Sequence, residues 1–335
     1  MSTVLVVGAS GQLGSTIVAA LLEAGHRPHA LLRENATLPE GLAEHVDVEV
    51  CRGDLGDLSS LHAACSRADV VISTASAIMP KKGDRFGADE VAHYENLLTA
   101  CGQQRVEHFI YISAFSTVDD DLVPEFVIKR QIEGLIAASG LRYTIFRAAA
   151  FMDIYFAAMG SEAPLRGVRK PTLKRGFWLT RLFLALSSGL LERRGVALVP
   201  GKGSTVHRFI SIKSVAVFMV RAVDLPGGAN RTLELAGPQS LCWDDIVSIY
   251  ARQLGRRVRC LHLPIWLFKV LAVLMARVSP AGANMMRIFA MLGTHDYNPA
   301  PSPALHAFCL PLEQAEEYIT RQLAQPLREA SREPR

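Results

Sequence analysis

The chain has 335 residues, of which 50% are hydrophobic, and its mean hydropathy of +0.20 indicates a large buried core. The net charge of +4 is too small to indicate a nucleic-acid partner. The six cysteines form no Cys-x-x-Cys pair, which favours reduced thiols over a disulfide framework. No apolar run reaches the about 18 residues that a membrane-spanning helix requires. We therefore expect a cytoplasmic protein of more than one domain.

The start of the chain predicts a strand, a tight turn and a helix. Val4–Val7 is an unbroken aliphatic run, which is typical of a strand buried on both faces. Gly8, Gly11 and Gly14 follow at intervals of three, and apolar residues then repeat at helical spacing through residues 17–22. Because the strand begins within the first few residues, without a basic leader, we expect no secretory signal peptide.

The glycine spacing predicts a dinucleotide site. Gly8 permits a sharp turn, Gly11 lets the backbone approach a pyrophosphate, and Gly14 lets the helix pack against the strand. The N–H groups of the first helical turn then face the phosphate charge. The alternative is ordinary loop glycines, which the flanking strand and helix disfavour. The predicted cofactor contacts in this turn are Gly8, Ser10, Gly11, Gln12, Leu13 and Gly14.

The second predicted strand, residues 27–33, ends on Arg33. At this position of a dinucleotide fold an acidic residue holds a ribose 2′-hydroxyl, whereas arginine suits a 2′-phosphate. Arg33 therefore favours NADP(H) over NAD(H) as the cofactor. The alternative is a solvated arginine at the end of the strand.

Two further strands supply the remaining cofactor candidates. The third, residues 46–51, precedes Asp54 and Leu55 at the edge where an adenine would lie. Asp54 either accepts a hydrogen bond from the adenine amino group or caps the helix that opens near Asp57, and the two roles are compatible. The fourth strand, residues 69–76, ends on small side chains that leave space for a ribose, Thr74, Ala75 and Ser76.

Strands alternate with helices through the first half of the chain, which predicts an α/β fold with a doubly wound parallel Rossmann sheet. We expect this sheet domain at residues 1–155 plus 211–237. A smaller, mostly helical substrate or lid domain is expected at residues 156–210 plus 238–325, followed by a disordered tail at 326–335. Ligands of such sheets bind at the carboxyl ends of the strands.

Several motifs along the chain recur together in one family. They are the glycine turn at residues 8–14, Gly53-Asp54-Leu55, Tyr111-Ile112-Ser113, Lys129-x-x-x-Glu133, Ser139–Arg147, residues 201–216 and residues 237–246. With these motifs the chain resembles the NmrA-like branch of the atypical and extended short-chain dehydrogenases. The resemblance implies a nicotinamide cofactor and leaves the substrate open, because relatives include isoflavone-type reductases, quinone-responsive redox sensors and an accessory subunit of respiratory complex I.

The resemblance also implies a catalytic serine after the fifth strand and a Tyr-x-x-x-Lys pair on the next helix. Ser113 and Lys129 match, but Glu125 stands at the tyrosine position and that helix, predicted at residues 124–139, contains no tyrosine. Either Glu125 donates the proton, or Lys129 or water does, or the chemistry is lost. The alternative is that Glu125 is an ordinary acidic residue in the first turn of the helix, where the helix dipole stabilises its charge. Lys129 is expected to contact the nicotinamide ribose, the alternative being a solvated lysine paired with Glu133.

The second half of the chain contains two unusual apolar segments. Residues 166–194 combine a basic run with an aromatic, leucine-rich helix, which fits a lid over the substrate, a contact with an anionic membrane surface, or a core helix with basic flanks. Residues 263–276 form the most apolar helix, by default a buried core helix, with a pocket wall, a subunit contact or a bilayer contact as alternatives. His207 is a possible proton donor that we interpret as structural. No His, Cys or Asp cluster has metal-ligand spacing, so no metal site is expected.

These observations lead to one principal hypothesis and two alternatives. The principal one is an NADPH-dependent reductase that passes a hydride to a carbonyl, imine or activated alkene of a hydrophobic small molecule. The first alternative is a redox sensor or assembly factor that binds NADP(H) without turnover. The second is an epimerase or dehydratase that recycles its nicotinamide, for which the sequence offers no clear acid and base pair.

Overall fold

A computed structural model describes residues 1–76, 87–117, 120–168, 171–175, 178–225 and 230–326. These residues divide into two units. The first unit comprises Met1–Ala149, Ile212–Ala236 and Pro299–Pro311. The second comprises Ala150–Ser211, Gly237–Asn298 and the residues from Leu312 onward. From residue 327, the tail predicted to be disordered lies outside the described residues.

The strands and helices of the described chain are numbered in sequence order. The strands are β1 Thr3–Val7, β2 Arg27–Leu32, β3 Glu49–Arg52, β4 Val70–Ser73, β5 His108–Ala114, β6 Tyr143–Ala148, β7 Val196–Pro200, β8 Val206–His207, β9 Arg231–Leu235, β10 Leu241–Cys242 and β11 Arg259–Leu263. The helices are α1 Gln12–Glu23, α2 Leu58–Cys65, α3 Ala88–Gln103, α4 Pro124–Ala138, α5 Met152–Ala158, α6 Trp178–Ser187, α7 Ile212–Arg221, α8 Trp243–Gln253, α9 Ile265–Met275, α10 Pro280–Leu292 and α11 Ala315–Ala324.

The first unit is built on a seven-stranded sheet in the order β3-β2-β1-β4-β5-β6-β9. Every neighbouring pair in this sheet is parallel, which confirms the predicted doubly wound sheet. The chain leaves β3 at one edge and re-enters the sheet at β4, on the other side of β1. This reversal opens a crevice at the carboxyl ends of β1 and β4, where ligands of such sheets bind.

The core of the first unit follows from the aliphatic first strand. Val4–Val7 are at most 1% exposed, as expected for a strand covered on both faces. Leu5 and Val7 belong to the apolar cluster that α2, α3 and α4 cover. The alternate residues point to the opposite face, where α1 and α7 pack together. The glycine turn is thereby fixed to the centre of the sheet.

The second unit is mostly helical, with α5, α6 and α8–α11 and two small sheets. One sheet pairs β8 with β10 antiparallel, and the other pairs β7 with β11 parallel. Within the described residues no helix combines the length and the apolar character needed to cross a membrane.

Two sequence-based predictions of local structure are wrong. The third strand begins at Glu49 instead of Val46. Val46 is 94% exposed, and the residues before the strand form a turn in which the Val48 N–H donates to the His45 carbonyl. The apolar helix predicted at residues 263–276 forms as α9 but is not a core helix, since only Phe268 and Ala272 on it are buried. Hydropathy alone indicated its burial, and hydropathy does not show whether a second layer covers the outer face.

Candidate nucleotide-binding site

The glycine turn presents an open helix N-terminus at the crevice. Gly8 adopts φ +88°, a left-handed conformation suited to glycine, and its carbonyl accepts a 2.8 Å hydrogen bond from the Gly11 N–H. Gly11 is the N-cap of α1 and has no side chain to bond the first-turn N–H groups. The first turn contains no acidic residue. The positive end of α1 is therefore suited to a phosphate group.

Close packing brings the end of β4 against this turn. A Cβ on Gly8 would lie 2.7 Å from Thr74 Oγ1 and 2.9 Å from the Ala75 nitrogen. A Cβ on Gly14 would lie 2.2 Å from the Gly8 carbonyl oxygen. Thr74 is held by a 2.9 Å hydrogen bond from its N–H to the Val7 carbonyl. The predicted contacts Thr74 and Ala75 thus lie beside the glycine turn, at the reversal point of the sheet, and Ser76 follows them directly in the chain.

The ends of β2 and β3 place two guanidinium groups on neighbouring strands. Arg33 follows β2 directly and is exposed. Arg52 ends β3, and its Nη1 donates to the carbonyl oxygens of Arg33, Glu34 and Ala36 at 2.9, 3.1 and 2.8 Å. The sequence analysis did not predict a role for Arg52, although this residue directly precedes the Gly53-Asp54-Leu55 motif. This edge carries the positive charge that a 2′-phosphate requires.

Asp54 and Leu55 occupy the turn that follows β3. The cap of α2 is Asp57, whose Oδ1 accepts a 3.0 Å hydrogen bond from the Ser59 N–H. Asp54 Oδ1 instead accepts a 2.9 Å hydrogen bond from the Gly56 N–H, so the alternative in which Asp54 caps α2 is wrong. The exposed Asp54 carboxylate remains a predicted adenine contact. Leu55 packs partly on the core of the first unit.

Lys129 is buried, which rules out the solvated alternative. Its side chain is 5% exposed, and Nζ donates to Tyr111 Oη at 3.1 Å and lies 3.7 Å from Glu90 Oε1. Its partner is therefore Glu90 on α3 and not Glu133, one turn away on its own helix. Burial and the Glu90, Glu133 and Glu125 carboxylates raise the pKa of Tyr111 well above its usual value.

Two tyrosines connect Lys129 to the end of β4. The rings of Tyr94 and Tyr111 meet edge to face with centroids 5.2 Å apart. Tyr94 Oη donates to the Ala75 carbonyl at 2.7 Å. Lys129 and the predicted ribose contacts therefore belong to one continuous group of side chains, assembled from β4, α3, β5 and α4.

Ser113 belongs to a separate ionic cluster. Its Oγ donates to Glu133 Oε1 at 2.5 Å, and Ser113 as a whole is 3% exposed. Glu133 also binds Arg130 through the same oxygen and Arg147 Nη2 through Oε2 at 2.6 Å. The serine hydroxyl is thus engaged with a carboxylate in this structure.

The candidate proton donors are all buried. Glu125, in the first turn of α4, is 8% exposed, and Lys129 is 4% exposed. His207 lies in the second unit, where it is fully buried and its Nε2 is 2.8 Å from the Leu292 carbonyl. Burial lowers the pKa of His207 to about 4, so the ring is neutral and donates to this carbonyl. The geometry agrees with the structural interpretation of His207.

Two buried histidines are expected to make stability depend on pH. Burial lowers the pKa of His108 and of His207 from 6.5 to about 4. Below pH 6.5 the unfolded chain therefore binds protons that the folded chain does not, and the unfolding free energy falls as pH drops toward 4. We expect a loss of about 2 kcal/mol per histidine at pH 5 relative to pH 7.5.

Urea unfolding at the two pH values tests this expectation. His108→Gln and His207→Gln should each remove part of the pH-dependent difference, whereas the same change at the exposed His45 should leave it intact. A pH-dependent difference that is as large in both variants as in the unmodified chain would contradict the assignment.

The strand order, the reversal between β1 and β4 and the glycine turn define a Rossmann-type dinucleotide-binding fold. The sequence profile of the NmrA-like family matches residues 1–326, and the chain belongs to this family.

Known relatives and structures agree with this class. The phenylcoumaran benzylic ether reductase TP7 of Nicotiana tabacum is 25% identical over 277 residues, which are 78% of each chain. The photosystem II assembly factor Ycf39 of Cyanophora paradoxa is 27% identical over 267 residues, 78% of this chain and 72% of that protein. The structure of triphenylmethane reductase from Citrobacter sp., solved with NADP(H), has a TM-score of 0.70 at 18% identity and covers 95% of this chain and 99% of its own.

Proposed function

We propose that this chain is an NADP(H)-dependent oxidoreductase of the atypical short-chain dehydrogenase type. It reduces a carbonyl, imine or activated alkene of a hydrophobic small molecule. The principal support is the open N-terminus of α1 at the reversal point of the sheet, with Arg33 at the end of β2. Further support comes from relatives that are named reductases and from a structural neighbour that was solved with NADP(H).

The cofactor would lie across the carboxyl ends of β1 to β4. The first turn of α1 binds the pyrophosphate, and Gly8 and Gly14 keep the backbone close enough for this contact. Arg33 neutralises the 2′-phosphate, and Arg52 holds the loop on which Arg33 lies. Asp54 receives the adenine amino group. When bound, the nicotinamide supplies the hydride.

Lys129 is the residue we assign to the nicotinamide ribose. Tyr111 and Glu90 fix its ammonium group, so the charge is oriented before the cofactor arrives. The same positive charge stabilises negative charge that develops on the acceptor, and water supplies the proton. The sequence also marked Ser113 and Glu125 as catalytic candidates. We assign Ser113 to the support of β5 and Glu125 to the support of the N-terminus of α4.

Loss of the Lys129 charge tests this proposal. NADPH oxidation is followed with a triphenylmethane dye, a quinone and an aromatic imine as acceptors. Lys129→Met should reduce kcat/KM by about 100-fold, the size of a lost positioned acid or charge. The double variant Lys129→Met/Glu90→Gln also removes the charge of the nearby carboxylate and should be equally inactive but better folded. Lys213→Met, at an exposed lysine of the same unit, is the control. Unchanged activity in the double variant would contradict the role of Lys129.

A second candidate function is a redox sensor or assembly factor that binds NADP(H) without turnover. It is supported by the absence of a tyrosine from α4 and by the likeness to Ycf39, which is named an assembly factor. Tight NADPH binding without oxidation by any acceptor of the panel would favour this candidate over the reductase.

The role of residues 166–194 stays a proposal. Residues 169–170 and 176–177 lie outside the described chain, as do the side chains of Lys174 and Arg175. On α6, Leu182, Phe183 and Leu186 are exposed and Leu184 is buried, which supports a lid or a peripheral membrane contact over a core helix. We also propose a cytoplasmic location and a hydrophobic small-molecule substrate. We propose no nucleic-acid partner.

A further inference from the structure

Helix α9 turns an apolar face to solvent. The exposed fractions on this side are 64% for Trp266, 46% for Val270, 72% for Val273, 66% for Leu274 and 67% for Val278, directly after the helix. Trp266, Val270 and Leu274 recur every four residues and Val273 lies beside them, so these four share one face of the helix, which we call the α9 face. Phe268 lies on the other side, where its ring stacks on Phe289 of α10 with centroids 5.8 Å apart. An ordinary surface helix has the opposite arrangement.

The stretch of sequence that contains the α9 face carries charge of one sign. Lys269 is exposed on α9 beside the apolar positions, and the exposed Arg277 lies directly after the helix. Between Ile246 and His295 the sequence contains no Asp or Glu. The same stretch contains seven cationic residues, Arg252, Arg256, Arg257, Arg259, Lys269, Arg277 and Arg287. The overall net charge of the chain is +4, so the positive charge is concentrated in this part of the second unit.

We propose that the α9 face docks on the surface of an anionic phospholipid bilayer. A tryptophan and aliphatic residues would enter the boundary between headgroups and acyl chains, while Lys269 and Arg277 contact lipid phosphates. The helix has 11 residues and is about 16 Å long, half of what spanning requires, so it lies in the plane of the surface. A second copy of the chain fits less well, because a symmetric contact would bring the cations of both copies together.

Helix α6 also exposes apolar side chains in a stretch of sequence without acidic residues, and it also packs near α10. Leu184 of α6 packs in a cluster with Met285 of α10, the helix on which α9 also packs. Leu182, Phe183 and Leu186 are 46%, 41% and 71% exposed. From Ala163 to Leu191 the sequence again lacks acidic residues. Two neighbours of α10 therefore expose apolar side chains within stretches of sequence that contain basic but no acidic residues.

Vesicle co-sedimentation tests the proposal independently of any enzymatic activity. The full chain is mixed with vesicles of phosphatidylcholine alone or with phosphatidylglycerol added. We expect binding to the anionic vesicles that weakens with salt, and a loss of about tenfold or more in affinity for Val273→Glu/Leu274→Glu and for Lys269→Glu/Arg277→Glu. Val46→Glu, which places the same charge at an exposed valine of the first unit, should bind like the unmodified chain.

Two outcomes would overturn the proposal. One is the absence of binding to anionic vesicles by a chain that still binds NADPH. The other is a dimer in sedimentation velocity that Val273→Glu/Leu274→Glu converts to monomer, without vesicle binding by either form, which would assign the α9 face to a second copy. NADPH affinity and thermal unfolding of each variant exclude misfolding as the cause of a loss.

A second, independent observation concerns three side chains at the start of α8 and on β11. Asp244, Cys260 and His262 place one ligand atom each within 4.8 Å of one another. Asp244 Oδ1 is 3.5 Å from Cys260 Sγ and 3.5 Å from His262 Nε2. Tetrahedral zinc with sulfur, nitrogen and oxygen ligands requires separations of about 3.5 Å between these atoms. Cys260 and His262 share a face because they alternate on a strand.

The structure thus assigns a zinc-class cation site to Asp244, Cys260 and His262, with an open fourth position for water. Gly203 lies against it, since a Cβ there would be 2.5 Å from Asp244 Oδ1. The sequence predicted no metal site because sixteen positions separate Asp244 from Cys260. A comparable group, His29, Glu49 and Cys51, is less suited because Arg67 Nη1 already binds Glu49 Oε1 at 2.7 Å.

Cobalt titration tests the assignment, because a Co²⁺–thiolate bond gives a charge-transfer absorption that Zn²⁺ then displaces. We expect one equivalent of Co²⁺ to produce this band in the full chain and in Cys309→Ser, which removes an exposed thiol elsewhere. Cys260→Ser should abolish the band, and His262→Ala should weaken Co²⁺ binding by about tenfold or more. A band that persists in Cys260→Ser, or no band in the full chain, would overturn the site.

Discussion

Replacing Gly14 by alanine is expected to weaken NADPH binding by about 100-fold or more, equivalent to roughly 3 kcal/mol. The added Cβ would lie 2.2 Å from the Gly8 carbonyl oxygen and 2.9 Å from the Ala9 Cα. These are backbone atoms, so α1 must move away from the end of β1. The helix N-terminus then no longer meets the phosphate at the position that the turn defines.

Fluorescence titration with NADPH measures this effect, and Gly102→Ala provides the matched control. Gly102 lies in α3, where an added Cβ meets nothing within 4 Å, so alanine there should leave binding unchanged and stabilise the helix slightly. If Gly14→Ala binds NADPH like the unmodified chain, the pyrophosphate does not lie on this turn.

Replacing Glu133 by alanine is expected to reduce the unfolding free energy by about 3 to 5 kcal/mol, the range for breaking a buried ion pair. Glu133 is 8% exposed and binds Arg130, Arg147 and Ser113. Without its carboxylate, the two guanidinium groups lose a shared partner between α4 and β6. The effect should appear in urea unfolding.

Ser113→Ala separates the structural interpretation of this cluster from a catalytic one. Loss of one hydrogen bond to Glu133 should reduce the unfolding free energy by about 1 to 3 kcal/mol, while kcat for NADPH oxidation stays within a few fold of the unmodified chain. A large fall in kcat with unchanged stability would show that Ser113 acts on the substrate and that its contact with Glu133 is secondary.

The features that were predictable from the sequence are those with local patterns. The aliphatic run of β1, the glycine turn and the helical periodicity of α1 fix one another within a few residues, and the alternation of elements fixes a parallel sheet. The solvated alternative for Lys129 failed because its partners, Tyr111 and Glu90, come from β5 and α3. Arg52 was missed for the same reason, since its acceptors lie on the loop after β2.

The apolar helix α9 shows a different limit. Its sequence identifies an apolar helix correctly, but burial depends on what covers both faces, and the covering layer, α10, contacts one face only. The group Asp244, Cys260 and His262 depends likewise on the placement of β11 beside the start of α8. The spacing of residues in the sequence shows neither the packing of α10 on α9 nor the placement of β11 beside α8.

We propose that the chain binds NADP(H) through the glycine turn and Arg33. Fluorescence titration of the unmodified chain and of Arg33→Glu with NADPH and with NADH tests this binding mode. We predict that the unmodified chain binds NADPH at least about tenfold more tightly than NADH, and that Arg33→Glu loses this preference because a carboxylate repels the 2′-phosphate. Equal affinity for both cofactors in the two proteins, or binding of neither, would contradict the account.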